Sequence, residues 1–284
     1  MMRVKFWGVR GSTPVAGPST VRYGGNSPCV ELRLSNGELI IFDAGTGIRL
    51  LGRQLLKQKN PLRFHVLLSH GHMDHVQGFP FFGPAYIKHY HITLGGCPRG
   101  GKEVKDMVRR QMGDMYFPVE YDGLPASMDQ VVYCDGETLK IGKAKVHAQE
   151  VNHPGGAVAF RVQEGRRSVV YMTDNELNAS WSGAIGSDRA VDFVRGADLL
   201  IHDTQYSPRE YESHTRGWGH STYEDSAELA VRSKVKKLLI YHHDPDHDDR
   251  KVDWMVEKTR QSIRKRGGCG IACAGSREGL SLKV

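Results

Sequence analysis

The sequence predicts an α/β protein in which two packed, mixed β-sheets carry helices on their outer faces. Short apolar strands alternate with amphipathic helices in both halves of the chain. No Pro- or Ser-rich linker divides the halves, and 284 residues are enough to bury a full core. We therefore expect one domain over residues 1–284, with related halves of about 1–130 and 131–284.

The first half is expected to lead from a hairpin and a helix to a short buried strand. Asn36-Gly37, the strongest short turn signal, joins two strands. A helix that begins near Ile48 carries apolar residues on one face, and residues 83–128 are expected to form a lid or insertion. The expected strands are Arg3–Trp7, Cys29–Leu34, Glu38–Phe42, Phe64–Leu68 and Tyr86–Leu94.

The second half is expected to open with several strands between Val131 and Arg161 and then to alternate. The later strands are expected at Ser168–Met172, Asp198–Ile201, Leu238–Tyr241, Gly270–Ala274 and Gly279–Lys283. The helices are expected at Arg189–Arg195, Tyr223–Arg232 and Arg250–Arg266. This alternation favours strands that share one sheet with helices packed on its face.

Composition and charge narrow the class of protein. Hydrophobic residues make up 39% and charged residues 25% of the chain, a balance typical of a soluble globular protein. No apolar run approaches the roughly 20 residues that cross a bilayer. The first residues predict a strand rather than a signal peptide, so a cytoplasmic protein without a membrane partner is expected. The net charge of +7 favours an anionic partner, because a positive field speeds the encounter with phosphates.

The five cysteines, Cys29, Cys97, Cys134, Cys269 and Cys273, are odd in number and scattered. This pattern favours reduced thiols over a disulfide framework. Cys269 and Cys273 lie closest in sequence, but no second pair follows them. Ordinary structural cysteines are therefore favoured there over a metal site.

The segment His70-Gly-His72-Met-Asp74-His75 carries the strongest chemical signal in the chain. It contains three imidazoles and one carboxylate within six residues, which packing alone explains poorly. It begins two residues after the apolar strand Phe64–Leu68, and side chains at such strand ends project into the crevice where α/β sheets bind ligands. Neutral imidazole and carboxylate together suit zinc, iron or manganese.

Three further polar residues stand where apolar strands of the second half end. One short cluster cannot complete two coordination shells, so these residues are the expected additional ligands. They supply two imidazoles and one carboxylate to the same sheet edge. His243 is a rival for the last position, which is assigned to its neighbour because that residue comes first after the strand. The three residues are His153, Asp174 and His242.

In order and spacing, His70, His72, Asp74, His75, His153, Asp174 and His242 resemble the full ligand series of the metallo-β-lactamase superfamily. The resemblance covers nearly the whole chain and implies an αββα sandwich with two divalent metal ions, zinc ahead of manganese or iron. One metal would be held by His70, His72 and His153. The other would be held by Asp74, His75 and His242, with Asp174 bridging the two. Asp74 is also counted among the expected catalytic residues.

Residues between the last two ligands resemble the tRNA 3′-processing nucleases (tRNase Z) and related phosphodiesterases of that superfamily. Those enzymes carry a strand-end acid, here Asp203 in place of a glutamate, and a His-Ser-Thr sequence, here His220-Ser221-Thr222. The resemblance implies that His220 contacts the phosphate or protonates the leaving oxygen while Asp203 orients it. A carboxylate partner favours the charged imidazole that an acid requires. The same segment also suits a helix N-cap at Ser221 or Thr222.

Two loops near the N-terminus, around Arg10 and Arg22, resemble those of bacterial superfamily members regarded as phosphodiesterases for small molecules or cyclic nucleotides. Their glycines either let backbone amides approach a phosphate or form structural turns. Asp43, which follows another strand, either contacts a ligand histidine or caps its loop. The tRNA nucleases grip their substrate with a long Gly/Pro-rich arm, and the second half shows no comparable insertion. The glycines are Gly8, Gly11, Gly24 and Gly25.

The sequence therefore predicts a two-metal phosphodiesterase that acts on a small anionic phosphodiester such as a cyclic nucleotide. Water, made more acidic by two metal ions, attacks phosphorus in line, and His220 helps the leaving oxygen depart. The alternatives are a tRNA-processing nuclease with a nucleic-acid partner, an acyl hydrolase such as a thioesterase or lactonase, and a non-catalytic binding protein. Monomer and homodimer are both compatible with the sequence.

Overall fold

Two seven-stranded sheets pack against each other in the computed structural model, which describes residues 1–58 and 63–284. The strands are β1 (Arg3–Gly8), β2 (Cys29–Arg33), β3 (Leu39–Phe42), β4 (Arg63–Leu67), β5 (His91–Gly96), β6 (Ser127–Val132), β7 (Thr138–Ile141), β8 (Ala144–Val151), β9 (Ala157–Glu164), β10 (Arg167–Met172), β11 (Leu199–Asp203), β12 (Lys237–Tyr241), β13 (Ala272–Gly275) and β14 (Ser281–Lys283). The α-helices are α1 (Ile48–Leu55), α2 (Met73–Val76), α3 (Asp106–Arg109), α4 (Ser187–Val194), α5 (Pro208–Glu210), α6 (Tyr223–Arg232) and α7 (Asp249–Lys265).

Both sheets contain parallel and antiparallel strand pairs, and in each sheet the two kinds of pair occupy opposite sides. The first has the order β14-β1-β2-β3-β4-β5-β6, and its strands are antiparallel up to β3 and parallel from β3 to β6. The second has the order β13-β12-β11-β10-β9-β8-β7, with parallel pairs from β13 to β10 and antiparallel pairs beyond. The predicted fold class, two packed mixed sheets with helices outside, is confirmed.

The main core lies between the two sheets and is centred on stacked aromatic rings. Phe42 of the first sheet stacks on Tyr171 of the second, with ring centroids 4.9 Å apart and an interplanar angle of 12°. Phe160 stacks on the same Phe42 ring at 6.0 Å. All three are fully buried. Burying one large side chain contributes about 1.5–3 kcal/mol, so these rings contribute substantially to the packing of the two sheets.

The outer faces of the sheets are covered by amphipathic helices. On α1, Ile48, Leu51 and Leu55 are buried against the first sheet, with the three-to-four-residue spacing of one helix face. On the second sheet, α4, α6 and α7 cover a cluster that includes Met255 and Ile263. No helix among the described residues is long and apolar enough to cross a membrane.

The segment 83–128 contains β5 and the first residues of β6. The strand expected at Tyr86–Leu94 begins later, because residues Gly83–Tyr86 form a 3₁₀ turn with a proline in its first turn. The strand that follows, β5, is an inner strand that pairs with both β4 and β6. The part after β5 packs Val104 and Val108 on the outer face of the first sheet. Within 83–128, residues 83–90 and 97–126 therefore lie outside the sheet.

The expectation that all five thiols are reduced is wrong for one pair. Cys97 and Cys134 form a disulfide across 37 positions of sequence. The two cysteines follow β5 and β6, and the register pairs Gly96 with Val132, so the strand ends lie side by side. Sequence separation hides this proximity, which depends on strand register. Cys29, Cys269 and Cys273 are free.

Candidate metal centre

The seven expected metal ligands converge at one edge of the sandwich. The first four lie in the loop after β4 and in α2, and the other three follow β8, β10 and β12 of the second sheet. Asp174 and His242 adopt left-handed backbone conformations, with φ of 47° and 60°. Such conformations cost non-glycine residues about 1–3 kcal/mol and occur where function requires a side-chain direction. Here they aim both side chains into the cluster.

Three histidines form the first half of the centre. His153 Nε2 lies 2.9 Å from His72 Nδ1, and the His70 ring packs against both, with centroids 4.5 and 4.7 Å away. One ring nitrogen from each lies within 4.8 Å of the others. His70 Nε2 is buried and has no hydrogen-bond partner within residues 1–58 and 63–284. A buried orphan nitrogen of this kind is costly unless a ligand such as a metal ion satisfies it.

One carboxylate and two histidines form the second half. Asp74 Oδ2 lies 3.1 Å from His75 Nε2 and 3.2 Å from His242 Nε2. The two histidine nitrogens are themselves 3.2 Å apart. Two imidazole nitrogens at this distance require a shared proton or a common cation between them. The donor set of two nitrogens and one oxygen fits a divalent metal.

Asp174 lies between the two halves and faces each with a different oxygen. Its Oδ1 is 3.2 Å from His75 Nε2 and 3.3 Å from His242 Nε2. Its Oδ2 is 3.7 Å from His70 Nε2 and 3.8 Å from His153 Nε2. A carboxylate with one oxygen toward each trio has the geometry of a bridge between two cations.

Hydrogen-bond acceptors behind the histidines fix which ring nitrogen carries the proton. Asp43 Oδ2 lies 2.7 Å from His75 Nδ1 and Gln205 Oε1 lies 2.8 Å from His242 Nδ1, so each Nδ1–H donates. The Gly219 carbonyl likewise accepts from His153 Nδ1 at 3.1 Å. In each case Nε2 is therefore the ring nitrogen that faces the cluster and can bind a metal.

Both roles considered for Asp43 are present. Besides contacting His75, its carboxylate accepts hydrogen bonds from Ser69 N at 2.7 Å, Ser69 Oγ at 2.9 Å and Tyr171 Oη at 2.6 Å. Asp43 is fully buried and has a φ of 59°. It therefore caps the loop that carries His70 and orients a second expected ligand at the same time.

Burial and charge set the protonation states that metal binding needs. Burial lowers the pKa of His153 to about 4 and the pKa of His70 well below its usual range, so both are neutral. Burial acts against ionisation of Asp74 and Asp174, but the imidazoles around them hold both pKa values well below the usual range. His75 is the exception: burial would deprotonate it, but these carboxylates raise its pKa, so a metal that binds Nε2 must displace a proton. Ionised carboxylates packed this closely in a buried site require cations.

His220 lies at the edge of the cluster and is held by Asp203. His220 Nδ1 is 2.9 Å from Asp203 Oδ2 and 4.0 Å from Asp174 Oδ2. Its ring stacks on that of His242 with centroids 5.0 Å apart. Burial opposes its protonation, yet the Asp203 carboxylate outweighs this and raises the pKa of His220 to about 9. The helix cap uses Thr222, whose side chain accepts from Asp225 N, so His220 is left available.

Two supporting residues were not found from the sequence, namely Gln205 and Glu176. Glu176 is buried and accepts hydrogen bonds from Gly217 N at 2.9 Å and Gly219 N at 2.8 Å. It thereby fixes the loop that precedes His220. A Cβ on Gly219 would lie 2.1 Å from His153 Nδ1, so glycine is required there. Each lies two positions after an acidic residue at a strand end, Asp174 for Glu176 and Asp203 for Gln205. This position is the one sequence signal that they share.

Arg10 and Arg22 of the N-terminal loops make structural contacts away from the metal centre. Arg10 is fully buried, and its guanidinium donates to the carbonyls of Gly24 at 2.8 Å and His247 at 2.6 Å. Arg22 pairs with Asp253 at 2.5 Å on the surface. The glycines allow close packing: a Cβ would lie 1.8 Å from Ser27 O at Gly8, 2.5 Å from His242 Nδ1 at Gly11, 2.3 Å from Glu278 Oε1 at Gly24 and 1.7 Å from Val15 O at Gly25.

His243 turns away from the cluster. Its Nε2 lies 2.9 Å from Ser276 O, and its ring packs edge-on against Tyr23. Burial, as the main cause, lowers the pKa of His243 to about 3. His242, the residue preferred from the sequence, is the one that the strand end presents to Asp74.

A cavity of about 680 Å³ opens beside the metal centre. His70 and His72 line one part of it, and residues 97–117 line another. Gln111 Nε2 donates to Val76 O at 2.6 Å, which ties that segment to α2. The volume falls within the roughly 300–1,000 Å³ typical of small-molecule sites.

The fold and this cluster define a class: metal-dependent hydrolases built on an αββα sandwich. The family model of the β-lactamase superfamily domain matches residues 39–243. Ribonuclease Z of Brevibacillus brevis is 33% identical over 266 residues, covering 79% of this chain and 81% of that protein. The metallo-β-lactamase fold protein YhfI from Bacillus subtilis has a TM-score of 0.71 at 16% identity, with both chains fully covered. A diphosphatase of the PhnP family has a TM-score of 0.68 at 18% identity, covering 100% and 98%.

The chain belongs to the β-lactamase superfamily, in its phosphodiesterase and ribonuclease Z-like branch. The predictions of the superfamily and of the αββα fold are confirmed. The chain is a metal-dependent phosphoester hydrolase, and its His/Asp clusters are suited to divalent metal ions.

Proposed function

We propose that the chain hydrolyses a small phosphodiester, such as a cyclic nucleotide, at a centre of two zinc ions. The observation that carries this proposal is the cavity of about 680 Å³ that adjoins the centre. Its volume matches a small molecule. The segment 97–117, anchored to α2 through Gln111, encloses the cavity beside His70 and His72.

The donor atoms support two metal positions. His70, His72 and His153 offer three nitrogens to one ion, and Asp74, His75 and His242 offer two nitrogens and one oxygen to the other. Asp174 faces both sets and would bridge the two ions. Imidazole and carboxylate without thiolate suit zinc first and iron or manganese next. Bound divalent ions supply positive charge to the phosphoryl oxygens and lower the pKa of water.

The residues of the chain then position the reacting groups. The Asp74 carboxylate, which accepts from Ser12 N at 2.8 Å, orients the attacking water, whose proton passes to solvent. Water oxygen bonds to phosphorus as the ester P–O bond breaks. His220, charged because Asp203 raises its pKa to about 9, donates a proton to the leaving oxygen.

Hydrolysis of an RNA phosphodiester is the second candidate, because the relative in Brevibacillus brevis is named ribonuclease Z. The structure favours the small substrate. Between Asp174 and His242 the chain forms α4, β11, α5, a π-helical turn and α6, which leaves no room in sequence for a long substrate-gripping arm. The longest described connection there without a helix or strand, residues 173–186, holds Asp174 and the buried Glu176.

A substrate panel on zinc-loaded protein separates the candidates. We expect hydrolysis of bis(p-nitrophenyl) phosphate and of at least one cyclic nucleotide or dinucleotide, with little cleavage of precursor tRNA. Efficient cleavage of precursor tRNA together with inert small diesters would replace the proposal by the nuclease. Faster turnover of a thioester or lactone than of any diester would instead identify an acyl hydrolase.

A further inference from the structure

Part of the cavity lining consists of exposed aromatic side chains for which the proposed chemistry has no use. Phe81 is 58% and Tyr116 73% exposed, although both border the same cavity as His70. The Phe81 ring also meets Phe117 edge-on, with centroids 5.4 Å apart. Large exposed aromatic side chains grouped at a cavity mark a binding surface, because a ligand that covers them removes apolar area from water.

Cationic side chains line the same cavity. The charge of Arg99 is compensated, because its guanidinium forms an ion pair with Glu150. Lys102 and Arg110 are exposed, and no acidic residue among 1–58 and 63–284 forms an ion pair with either. One acid, Asp106, also lines the cavity and accepts from Glu103 N at 3.0 Å. Positive charge therefore remains uncompensated in this part of the cavity.

The segment that carries these groups is fixed in place. Val104 and Val108 are buried in the outer core of the first sheet. Met107 packs over the ligand loop, where a Cβ on Gly71 would lie 3.8 Å from its Cγ. A surface anchored in this way can hold one end of a substrate at a constant distance from the metal centre.

We infer that Phe81, Tyr116, Lys102 and Arg110 form a recognition subsite for the part of the substrate away from the scissile bond. The side chains of Phe81 and Tyr116 bind a planar ring, and those of Lys102 and Arg110 bind a second phosphate. The single negative charge of a phosphodiester is opposed at the metal centre, so further cations match a further anion. The substrate class is therefore a small nucleotide with a phosphate beyond the scissile one. This inference rests on the proposed function.

Binding of product-like nucleotides tests the subsite without requiring turnover. Isothermal titration of the zinc-loaded full chain compares ribose 5-phosphate, adenosine 5′-monophosphate and adenosine 3′,5′-bisphosphate. We expect the base to tighten binding by about 5- to 150-fold, the range for one base stacked on an aromatic side chain. We expect the second phosphate to tighten it again, by about tenfold at low salt, with loss of that gain as salt rises.

Two double variants separate the two halves of the subsite. Phe81→Leu with Tyr116→Leu is expected to remove the gain from the base, and Lys102→Ala with Arg110→Ala to remove the gain from the second phosphate. Arg109→Ala is the matched control, because Arg109 neighbours Arg110 but pairs with Asp122 and does not line the cavity. Trp254→Leu is the aromatic control, since Trp254 is 40% exposed on α7.

The subsite is contradicted if wild type binds all three probes equally, or if the double variants bind them as wild type does. Hydrolysis of methyl p-nitrophenyl phosphate is followed in parallel. If zinc-loaded wild type leaves this diester intact while the differences in binding hold, the proposed function fails and the subsite stands. If the diester is hydrolysed while the probes bind equally, the subsite alone fails.

Discussion

His220 Nδ1 lies 2.9 Å from Asp203 Oδ2, and both side chains are almost wholly buried at the edge of the His/Asp cluster. Buried imidazole loses its proton unless a carboxylate stabilises the charged form. Asp203 supplies that stabilisation, and it enters the site from β11 while His220 enters from the loop before α6. The pair is therefore assembled by the fold, 17 residues apart in sequence.

Replacement of the proton donor should slow turnover without removing metal. For His220→Ala we expect kcat to fall by about 10²–10⁴-fold, the usual contribution of general acid catalysis. Steady-state kinetics with bis(p-nitrophenyl) phosphate and metal analysis of the same sample measure both effects. Loss of metal from this variant would show that His220 is a ligand. His214→Ala, an exposed histidine outside the cluster, is the control.

The Asp203–His220 pair also sets a pH dependence. A general acid acts in its protonated form, so activity should fall as pH rises through about 9, the pKa to which Asp203 raises His220. Asp203→Asn removes the stabilising charge but keeps the shape. Because burial alone lowers the pKa, the falling limb of the pH–rate profile should move to lower pH. A limb in the same place would mean that another group titrates.

Removal of the bridging carboxylate should change metal stoichiometry. Asp174→Ala deletes the oxygens that face both trios, so we expect zinc content to fall from two ions per chain to one or none, with activity lost. Metal content by elemental analysis after dialysis gives the answer. Asp114→Ala, at an exposed position, serves as control. Two tightly held ions in Asp174→Ala would remove Asp174 from the ligand set.

The hydrogen bond from His75 Nδ1 to Asp43 should govern metal affinity. Partners of this kind typically contribute 10–100-fold to affinity. For Asp43→Asn we expect weaker zinc binding of that order, measured by competition with a chelator. We also expect a lower Tm, since Ser69 and Tyr171 donate to the same carboxylate. Tyr171→Phe removes one donor only, and it should lower Tm with a smaller effect on zinc.

Sequence reasoning located the residues whose positions follow from strand order. His153, Asp174 and His242 each follow an apolar strand, and these strands, β8, β10 and β12, run in the same direction, so their carboxyl ends lie at one edge. The structure brings these three together with the His70–His75 segment. The helix N-cap at Thr222 could also be predicted from the sequence, because its capping box with Asp225 is a local pattern.

Features that depend on strand register or on contacts between distant segments could not be predicted from the sequence. Cys97 and Cys134 meet only because β5 and β6 pair with their ends aligned. Gln205 is assigned through a side-chain contact with His242, and one sequence does not show which polar residue makes it. The positive charge of Arg10 suggested a phosphate-binding residue. Its burial against backbone carbonyls could be seen only in the fold.

The most direct test of the two-metal account is a zinc titration of metal-stripped protein, with hydrolysis of bis(p-nitrophenyl) phosphate as readout. The account predicts no hydrolysis in the stripped protein and a rise that reaches full activity only at two equivalents of zinc per chain. Full activity after stripping, or saturation at one equivalent with no second ion bound, would contradict it.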